Sequence, residues 1–247
     1  MTFQLLRGCA ASCACLVLVA AQARTQEASN ASIVRKISGA HTCTLLADGA
    51  PCGGEVFIHT VQPDGTRTLR AFTDWVSGKG QITLVLRATE DFTMREAFAQ
   101  VYSEGKNFGT GYYVVTDSAV EATVNGPEGV FTHSDPLPET YSLLLHPVSA
   151  DSWHFSRYDK TQGGEQTVAI YTLGGAGRSV LGAFFPIALR FIADETITVP
   201  AGTFETEHYK FGKDADVWFM GPDRIVVRHE YTVNGTRYEL TELTTTE

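Results

Sequence analysis

The chain lacks the motifs that mark the common catalytic classes. No Gly-x-Ser-x-Gly segment is present, so the sequence does not support a serine nucleophile of the hydrolase type. The glycine run at 174–177 is not followed by Gly-Lys-Ser or Gly-Lys-Thr, which argues against a phosphate loop and a nucleotide cofactor. His-Glu-x-x-His and His-x-His are also missing. We therefore expect no cofactor and no metal.

Basic charge and long apolar runs are scarce as well. The chain carries 19 Lys and Arg against 28 Asp and Glu, and no basic patch, which argues against nucleic acid or an anionic membrane as the main partner. The apolar run at 180–193 contains Pro186 and is shorter than the roughly 20 residues that span a bilayer. We expect no transmembrane segment, and we interpret 180–193 as a segment that crosses the core or as a flap over a pocket.

The first residues have the pattern of a secretory signal peptide, which we assign to 1–23. Arg7 precedes a short apolar run at 9–19, and Ala21-Gln22-Ala23 matches the small-x-small cleavage pattern. The cysteines of this segment lie before or inside the apolar run, so we expect no lipoprotein anchor. The mature chain would start near Arg24 as a soluble exported protein, periplasmic or secreted.

Removal of this segment leaves two cysteines, Cys43 and Cys52, in an oxidising compartment. The turn residues at 48–51 can bring them together, and no Cys-x-x-Cys metal motif is present. We therefore predict a structural disulfide. Closing this short loop would stabilise the fold by about 2.7 kcal/mol in the chain-entropy model.

Strand patterning dominates the rest of the chain. Short apolar or alternating runs are separated by Gly, Pro, Asn and Asp turn signals. Segment 91–102 fits a short helix or a strand, 141–146 fits one or two helical turns, and 126–159 is rich in loop residues. We predict a polar leader with the disulfide loop at 24–54. A single mainly β domain at 55–247 would follow, built on one curved or partly closed antiparallel sheet.

The end of the chain predicts a β-hairpin around Asn234-Gly235. A two-residue turn pairs Tyr231 with Tyr238 and His229 with Leu240, and places His229 on the core side. Alternation then gives the hairpin one wet face. That face carries charged residues: Arg228, Glu230, Arg237 and Glu239.

A second C-terminal feature is the stretch Val199-Pro200-Ala201-Gly202-Thr203-Phe204. Pro200 ends a strand, and Gly202 supplies a backbone conformation that the turn requires. With the aromatic strand at 216–219, Arg228 and Glu239-Leu240, this stretch resembles the C-terminal signature of exported bacterial proteins of unknown function. Those proteins resemble the half-barrels of periplasmic lipoprotein carriers. The resemblance implies a half-barrel or barrel around an apolar cavity with a short helical or loop lid, and it implies no catalytic residues.

Histidines in the middle of the chain are the candidates for catalysis. His133, His146 and His154 lie within a stretch of loop character, where binding and catalytic groups often sit. Asp135 lies two residues from His133 and can orient its imidazole for general acid or base chemistry. The same trio could bind zinc, although the spacing matches no zinc motif. The alternative to both is that these histidines are solvated or structural.

Aromatic side chains with polar tips suit the wall of a small-molecule site. We predict that Trp153, Tyr158, Arg190 and Trp218 contact a ligand. The alternative for Trp153 is a strand whose alternate residues cover the sheet. Arg190 lies in an apolar run, where a charge needs a partner or an anionic ligand; alternatively it extends to the surface.

The sequence supports three functions. The first is an exported soluble β-barrel-like protein that binds a small apolar or amphiphilic (lipophilic) molecule by apolar burial. The second is a cofactor-free lyase, isomerase or hydrolase that uses the loop histidines with Asp135. The third is a role in envelope assembly or interaction, through the sheet edge or an exposed apolar flap.

Overall fold

Fifteen strands joined edge to edge form one sheet in the computed structural model of the chain. The structure describes residues 33–75, 80–143, 147–173 and 180–247, so the predicted signal peptide lies outside the described residues. A 3-10 helix at Val148–Arg157, here called the internal helix, precedes the tenth strand. The strands are β1 (Arg35–Leu45), β2 (Pro51–Val61), β3 (Arg67–Trp75), β4 (Gly80–Ala88), β5 (Met94–Ser103), β6 (Lys106–Val115), β7 (Ala119–Gly126), β8 (Gly129–Pro136), β9 (Tyr141–Leu143), β10 (Glu165–Leu173), β11 (Gly182–Val199), β12 (Gly202–Phe211), β13 (Ala215–Met220), β14 (Ile225–Tyr231) and β15 (Thr236–Thr246).

The sheet consists of two meanders that meet at the first and last strands of the chain. β1 pairs antiparallel with β15 on one side and with β2 on the other. From β1 the strands follow in chain order to β8, and from β15 they follow in reverse order to β9. Among the described strands, β9 and β10 form the one parallel pair. The prediction of a mainly β chain with a single curved antiparallel sheet is confirmed.

Contacts between strands near opposite edges reveal how far the sheet curls. Asp135 on β8 accepts a hydrogen bond from the hydroxyl of Tyr171 on β10 at 3.1 Å. The Tyr171 ring also meets the ring of Tyr113 on β6 edge to face, with 6.3 Å between centroids. The sheet stays open, since no ladder joins β8 to β9 in the described strands. Its concave face therefore encloses an interior without closing a barrel.

The leader predicted at 24–54 is corrected by the structure. Residues 35–45 form β1 and residues 51–54 begin β2, and both strands lie in the middle of the sheet. The sequence of β1 is polar because only a few of its side chains, such as Ile37 and Cys43, enter the core. Pairing with β2 and β15 supplies the backbone hydrogen bonds that its weak apolar pattern does not suggest.

The middle of the chain has less loop than we expected. Segment 91–102 belongs largely to strand β5 rather than to a helix, and 129–136 forms strand β8. The start of 141–146 is strand β9, not a helical turn, and residues 144–146 lie outside the described part of the chain. The helical element of this region is the internal helix, which follows immediately.

The apolar run at 180–193 is neither a flap nor a core-crossing segment. From Gly182 it forms the first part of β11, in which Leu189 is buried whereas Phe185 is 46% exposed. Pro186 is tolerated because this part of β11 pairs with β10 alone, while the ladder to β12 begins at Leu189. The turn that follows β11 begins at Pro200, and β12 starts at Gly202 with φ +144°.

The terminal hairpin forms with a register two residues from the predicted one. Tyr231 pairs with Thr236 and His229 with Tyr238, so the connection has four residues instead of two. Because side chains alternate with a period of two, a two-residue shift keeps every residue on its face. His229 is therefore buried as predicted, and two ion pairs form on the wet face: Arg228 with Glu239 and Arg237 with Glu230.

The predicted disulfide between Cys43 and Cys52 is present. It links β1 to β2 with 5.0 Å between the Cα atoms, and both cysteines are buried in the core. The crosslink thus ties the two central strands of the sheet at the end where their hairpin turns.

Candidate functional site

The internal helix lies against the concave face of the sheet. It packs mainly on β14, with further contacts to β2, β3, β9 and β13. Its residues from Val148 to Phe155 are all buried, although they include two serines, an aspartate and a histidine. Buried polar side chains need hydrogen-bond partners. Asp151 and His154 find theirs on the sheet, whereas the Ser149 hydroxyl has none among the described residues.

Glu55 on β2 holds the start of the internal helix. Its carboxylate accepts hydrogen bonds from the backbone N–H groups of Val148, at 2.9 Å, and Ser149, at 2.7 Å. The hydroxyl of Thr73 donates a third bond at 2.5 Å. The first N–H groups of a helix have no intrahelical partner and carry partial positive charge. A buried carboxylate at this position both satisfies them and is stabilised by them.

A second anchor joins the middle of the internal helix to β14. The hydroxyl of Tyr231 donates to the Asp151 carboxylate, and His229 Nδ1 lies 3.0 Å from Asp151 Oδ2. The rings of His229 and Tyr231 stack with 3.8 Å between centroids. Burial, with a further contribution from Asp151, raises the pKa of Tyr231 well above its ordinary value, so its hydroxyl keeps its proton. We call Glu55, Asp151, His229 and Tyr231 the anchoring cluster.

His41 on β1 completes the polar surroundings of this cluster. Its Nε2 lies 2.9 Å from the carbonyl oxygen of Val226, and its ring stacks on Phe57. Burial lowers the pKa of His41 even though Glu55 acts in the opposite direction. The imidazole is therefore neutral at physiological pH, and Nε2 carries the hydrogen that it donates to Val226.

The distal part of the internal helix fills the interior with aromatic side chains. The ring of Trp153 lies 5.2 Å from those of His59 and Phe92. Phe155 stacks on Tyr209 at 4.5 Å and on Phe219 at 5.7 Å between centroids. These two side chains occupy the volume in which a sheet-lined cavity would otherwise lie.

Beside Trp153 lies a group of arginines at one end of the sheet. The Asp223 carboxylate binds Arg67 Nη1 at 2.5 Å and Arg35 Nη2 at 3.1 Å. The neighbouring Arg224 places its guanidinium 5.6 Å from the centre of the Phe92 ring, and Arg67 lies 4.5 Å from the same ring. We call Arg35, Arg67, Asp223 and Arg224 the arginine cluster.

The predicted catalytic residues do not share one environment. His133 and Asp135 lie on the edge strand β8, with 3.0 Å between Nε2 and Oδ1, and His133 is exposed. His154 is buried in the internal helix, where Nδ1 lies 2.8 Å from the Ser142 hydroxyl and the ring packs near Phe211. His146 lies outside the described residues. One predicted pair is thus in contact, at a solvent-facing edge.

The predicted ligand-binding residues are also dispersed. Trp153 and Tyr158 are buried, and the Tyr158 hydroxyl donates to the carbonyl oxygen of Gly164 at 2.8 Å. Trp218 is committed to the sheet, since its indole N–H donates to Glu195 at 2.9 Å and its ring stacks on His208. Arg190 is exposed on β11, as the alternative interpretation expected.

Sequence reasoning missed most of the anchoring cluster and all of the arginine cluster. One usable signal was the alternation Glu55, Phe57, His59, which places a carboxylate and an imidazole on the inner face of a strand. The other was Asp151, which sits among aromatic residues. Their partners lie far away in the chain, and local patterns do not reveal such pairings.

Two general features of the described residues bear on function. Among them, no group of three or more histidine, cysteine or acidic side chains is placed to hold a metal ion. No helix within the described ranges is long and apolar enough to cross a membrane.

Comparison with known proteins supports the fold. No family model matches the chain, and no curated protein matches it significantly. Among solved structures, the chain is similar to the crystal structure of a beta-barrel-like protein of domain of unknown function DUF1849 from Brucella abortus. The TM-score is 0.50 at 7% identity, covering 87% of this chain and 98% of that chain. A DUF1089 family protein from Pseudomonas aeruginosa gives a TM-score of 0.41 at 13% identity, covering 72% and 88%. The similarity to the Brucella abortus protein supports a beta-barrel-like fold for the chain.

Proposed function

We propose that the protein is exported and binds an apolar or amphiphilic small molecule on the concave face of its sheet. In this proposal the internal helix is a plug that occupies the ligand's volume in the empty state. The observation that carries it is the way this helix is held: eight consecutive residues are buried, yet its first turn and its centre are fastened by Glu55, Asp151 and Tyr231.

Water can replace the polar partners of the helix after its release, so only the net strength of these bonds opposes displacement. For hydrogen bonds to charged groups such as Glu55 and Asp151, this net strength is about 1.5 to 3 kcal/mol each. Trp153 and Phe155 cover aromatic and aliphatic surface that would be exposed when the helix leaves. An apolar ligand that covers this surface recovers about 25 cal/mol per Å² of buried area. A sufficiently large ligand can therefore replace the helix.

Export is supported by separate observations. The pattern at 1–23 is that of a signal peptide, and the buried Cys43–Cys52 disulfide is typical of oxidising compartments. We also propose that the Val199–Phe204 turn and Arg228 relate the chain to exported proteins that resemble lipoprotein-carrier half-barrels.

The direct test is native mass spectrometry of the protein purified from its own compartment. We expect a bound apolar molecule of one or a few masses, together with a thermal shift when the stripped protein meets lipids of the same class. Recovery of empty protein only, with no thermal shift across a panel of lipids and aromatic compounds, would overturn the proposal.

A second test uses the displacement of the helix itself. Glu55→Gln weakens the anchor of the first turn, so the binding-competent state becomes more populated and the apparent affinity for N-phenylnaphthylamine should rise about tenfold. Tryptophan emission from a variant whose only tryptophan is Trp153 should shift to the red as the probe binds. The control is Glu121→Gln, which removes an exposed carboxylate on β7. Equal affinities in the wild type, Glu55→Gln and Glu121→Gln would contradict a displaceable helix.

A second candidate function is that of a cofactor-free enzyme. It is favoured by the contact of His133 with Asp135, because a carboxylate that orients an imidazole suits general acid or base chemistry. Turnover of a panel of ester and unsaturated acid substrates, lost in His133→Ala and kept in the exposed-residue variant Glu121→Gln, would support it. Full activity in His133→Ala would rule out this residue as a catalyst.

A further inference from the structure

The arginine cluster holds more positive charge than its contacts neutralise. Within the described part of the chain, Asp223 is the one carboxylate that Arg35 and Arg67 share, and both residues reach it at hydrogen-bonding distance. The side chain of Arg224 lies beside them, and its Nη1 is buried without a hydrogen-bond partner among the described residues. Glu207 also acts on Arg224. However, that carboxylate is already engaged by Lys160 at 2.8 Å and by the Tyr209 hydroxyl at 3.0 Å.

A buried histidine lies beside the arginine cluster. His59 is 1% exposed, and its Nε2 has no hydrogen-bond partner within the described part of the chain. Burial, reinforced by the charge of Arg67, lowers the pKa of His59 to about 4. Burial likewise lowers the pKa of Arg224, with Arg67 adding to the effect. The surroundings are therefore electropositive, and they contain two buried polar groups that lack partners.

Backbone strain coincides with these groups. Phe92 and Arg224 have φ values of +64° and +52°, and a positive φ is unfavourable for a residue with a Cβ atom. Their turns bring the Phe92 ring close to the guanidinium groups of Arg67 and Arg224. Strained conformations of this kind persist where the surrounding structure requires them, and they cluster at ligand sites.

Trp153 connects the arginine cluster to the interior. Its ring packs on both His59 and Phe92, so the volume that it vacates when the helix leaves borders directly on the cluster. We propose that the arginine cluster is an anion site, which receives the carboxylate or phosphate head of an amphiphile whose apolar part replaces Trp153 and Phe155. Arginine suits this role because its planar donors match both anions in a bidentate manner. This inference rests on the proposed function, and it adds that the ligand carries a negative charge.

The test compares a charged probe with its neutral counterpart. Dansyl-undecanoic acid and its methyl ester are titrated at neutral pH into the full chain and followed by dansyl fluorescence. We expect the acid to bind about tenfold tighter than the ester, as for one charge-assisted contact in a partly buried site. Arg224→Gln should bring the two affinities within about threefold by weakening the binding of the acid, whereas Arg224→Lys should keep part of the preference.

Arg224 is the appropriate position, because substitution of Arg67 would leave Asp223 without its closest partner. The matched control is Arg70→Gln, which removes an exposed arginine from the same strand as Arg67 and should keep the full preference. Inorganic phosphate is titrated separately. Tight phosphate binding that Arg224→Gln abolishes would show that the arginine cluster binds a free anion. If phosphate does not bind tightly, the preference for the acid identifies the head of an amphiphile as the bound anion.

The outcomes separate the two proposals. Equal binding of acid and ester to the wild-type protein, or a preference that survives in Arg224→Gln, would overturn the anion site and leave the ligand-binding function standing. Failure of both probes to bind, together with empty protein in native mass spectrometry, would overturn both. Unfolding curves for each variant establish that loss of preference does not reflect loss of the fold.

Discussion

The carboxylate of Glu55 accepts the backbone N–H of Ser149 at 2.7 Å, across 94 residues of sequence. This contact joins a strand in the middle of the sheet to the first turn of the internal helix. Pro147, at the N-cap position, makes no side-chain capping bond. Glu55 therefore does from the sheet what a serine or aspartate cap does within most helices.

Loss of the Glu55 charge should destabilise the fold. We expect Glu55→Gln to lower the free energy of unfolding by about 2 to 4 kcal/mol, because charge-assisted bonds to two buried N–H groups weaken together. Urea denaturation followed by circular dichroism measures the change. Glu121→Gln, whose carboxylate is exposed and accepts a bond from Ser134, should change stability by less than about 0.5 kcal/mol. Similar losses in both variants would contradict an anchoring role.

The contact between Tyr231 and Asp151 should appear as a coupling energy. Tyr231→Phe removes the hydroxyl and should cost about 1 to 3 kcal/mol, because a buried carboxylate loses a donor. In a double-mutant cycle with Asp151→Asn we expect a coupling of about 1 kcal/mol or more. Tyr112→Phe, on the outer face, should combine additively with Asp151→Asn. A cycle for Tyr231 that is also additive would show that the two groups do not stabilise each other.

Local sequence patterns predicted those parts of the fold whose contacts join residues close together in the chain. The Asn234-Gly235 turn and the alternation around it identified the last hairpin and the burial of His229. Strand β1 was missed because its stability comes from two partners, one of them at the other end of the chain. A strand that is paired on both sides can carry glycine, serine and threonine without a clear apolar period.

The candidate site was harder to predict than the fold, for a related reason. Arg67 binds Asp223 across 156 residues, and Tyr231 binds Asp151 across 80. Neither pair belongs to a motif, and each residue alone reads as an ordinary charged or polar residue. The histidines drew attention because they cluster in sequence, yet His133 and His154 lie in different surroundings.

The disulfide should contribute measurably to stability. Cys43 and Cys52 close a loop with a sequence separation of 9, and the chain-entropy model gives about 2.7 kcal/mol for a loop of this size. Replacement of both by alanine should lower the free energy of unfolding by about 2 to 3 kcal/mol. Added reductant should lower the urea midpoint of the wild-type protein and leave that of the double variant unchanged. Equal stability of the two proteins under oxidising conditions would contradict this contribution.

His59 should make stability depend on pH. Burial, with Arg67 as the next cause, lowers its folded-state pKa to about 4, whereas a histidine in the unfolded chain titrates near 6.5. Between these values the unfolded state binds more protons than the folded state, so stability falls as the pH falls. The loss from this residue reaches about 3 kcal/mol at pH 4 and levels off at about 3.4 kcal/mol at lower pH, where both states are protonated.

The measurement is the free energy of unfolding in urea at several pH values from 7 down to 4. His59→Gln cannot take up this proton, so its profile should be flatter than that of the wild type over that range. Some slope should remain, since burial also lowers the pKa of His41. A His59→Gln profile parallel to that of the wild type would mean that His59 does not stay neutral in the folded protein.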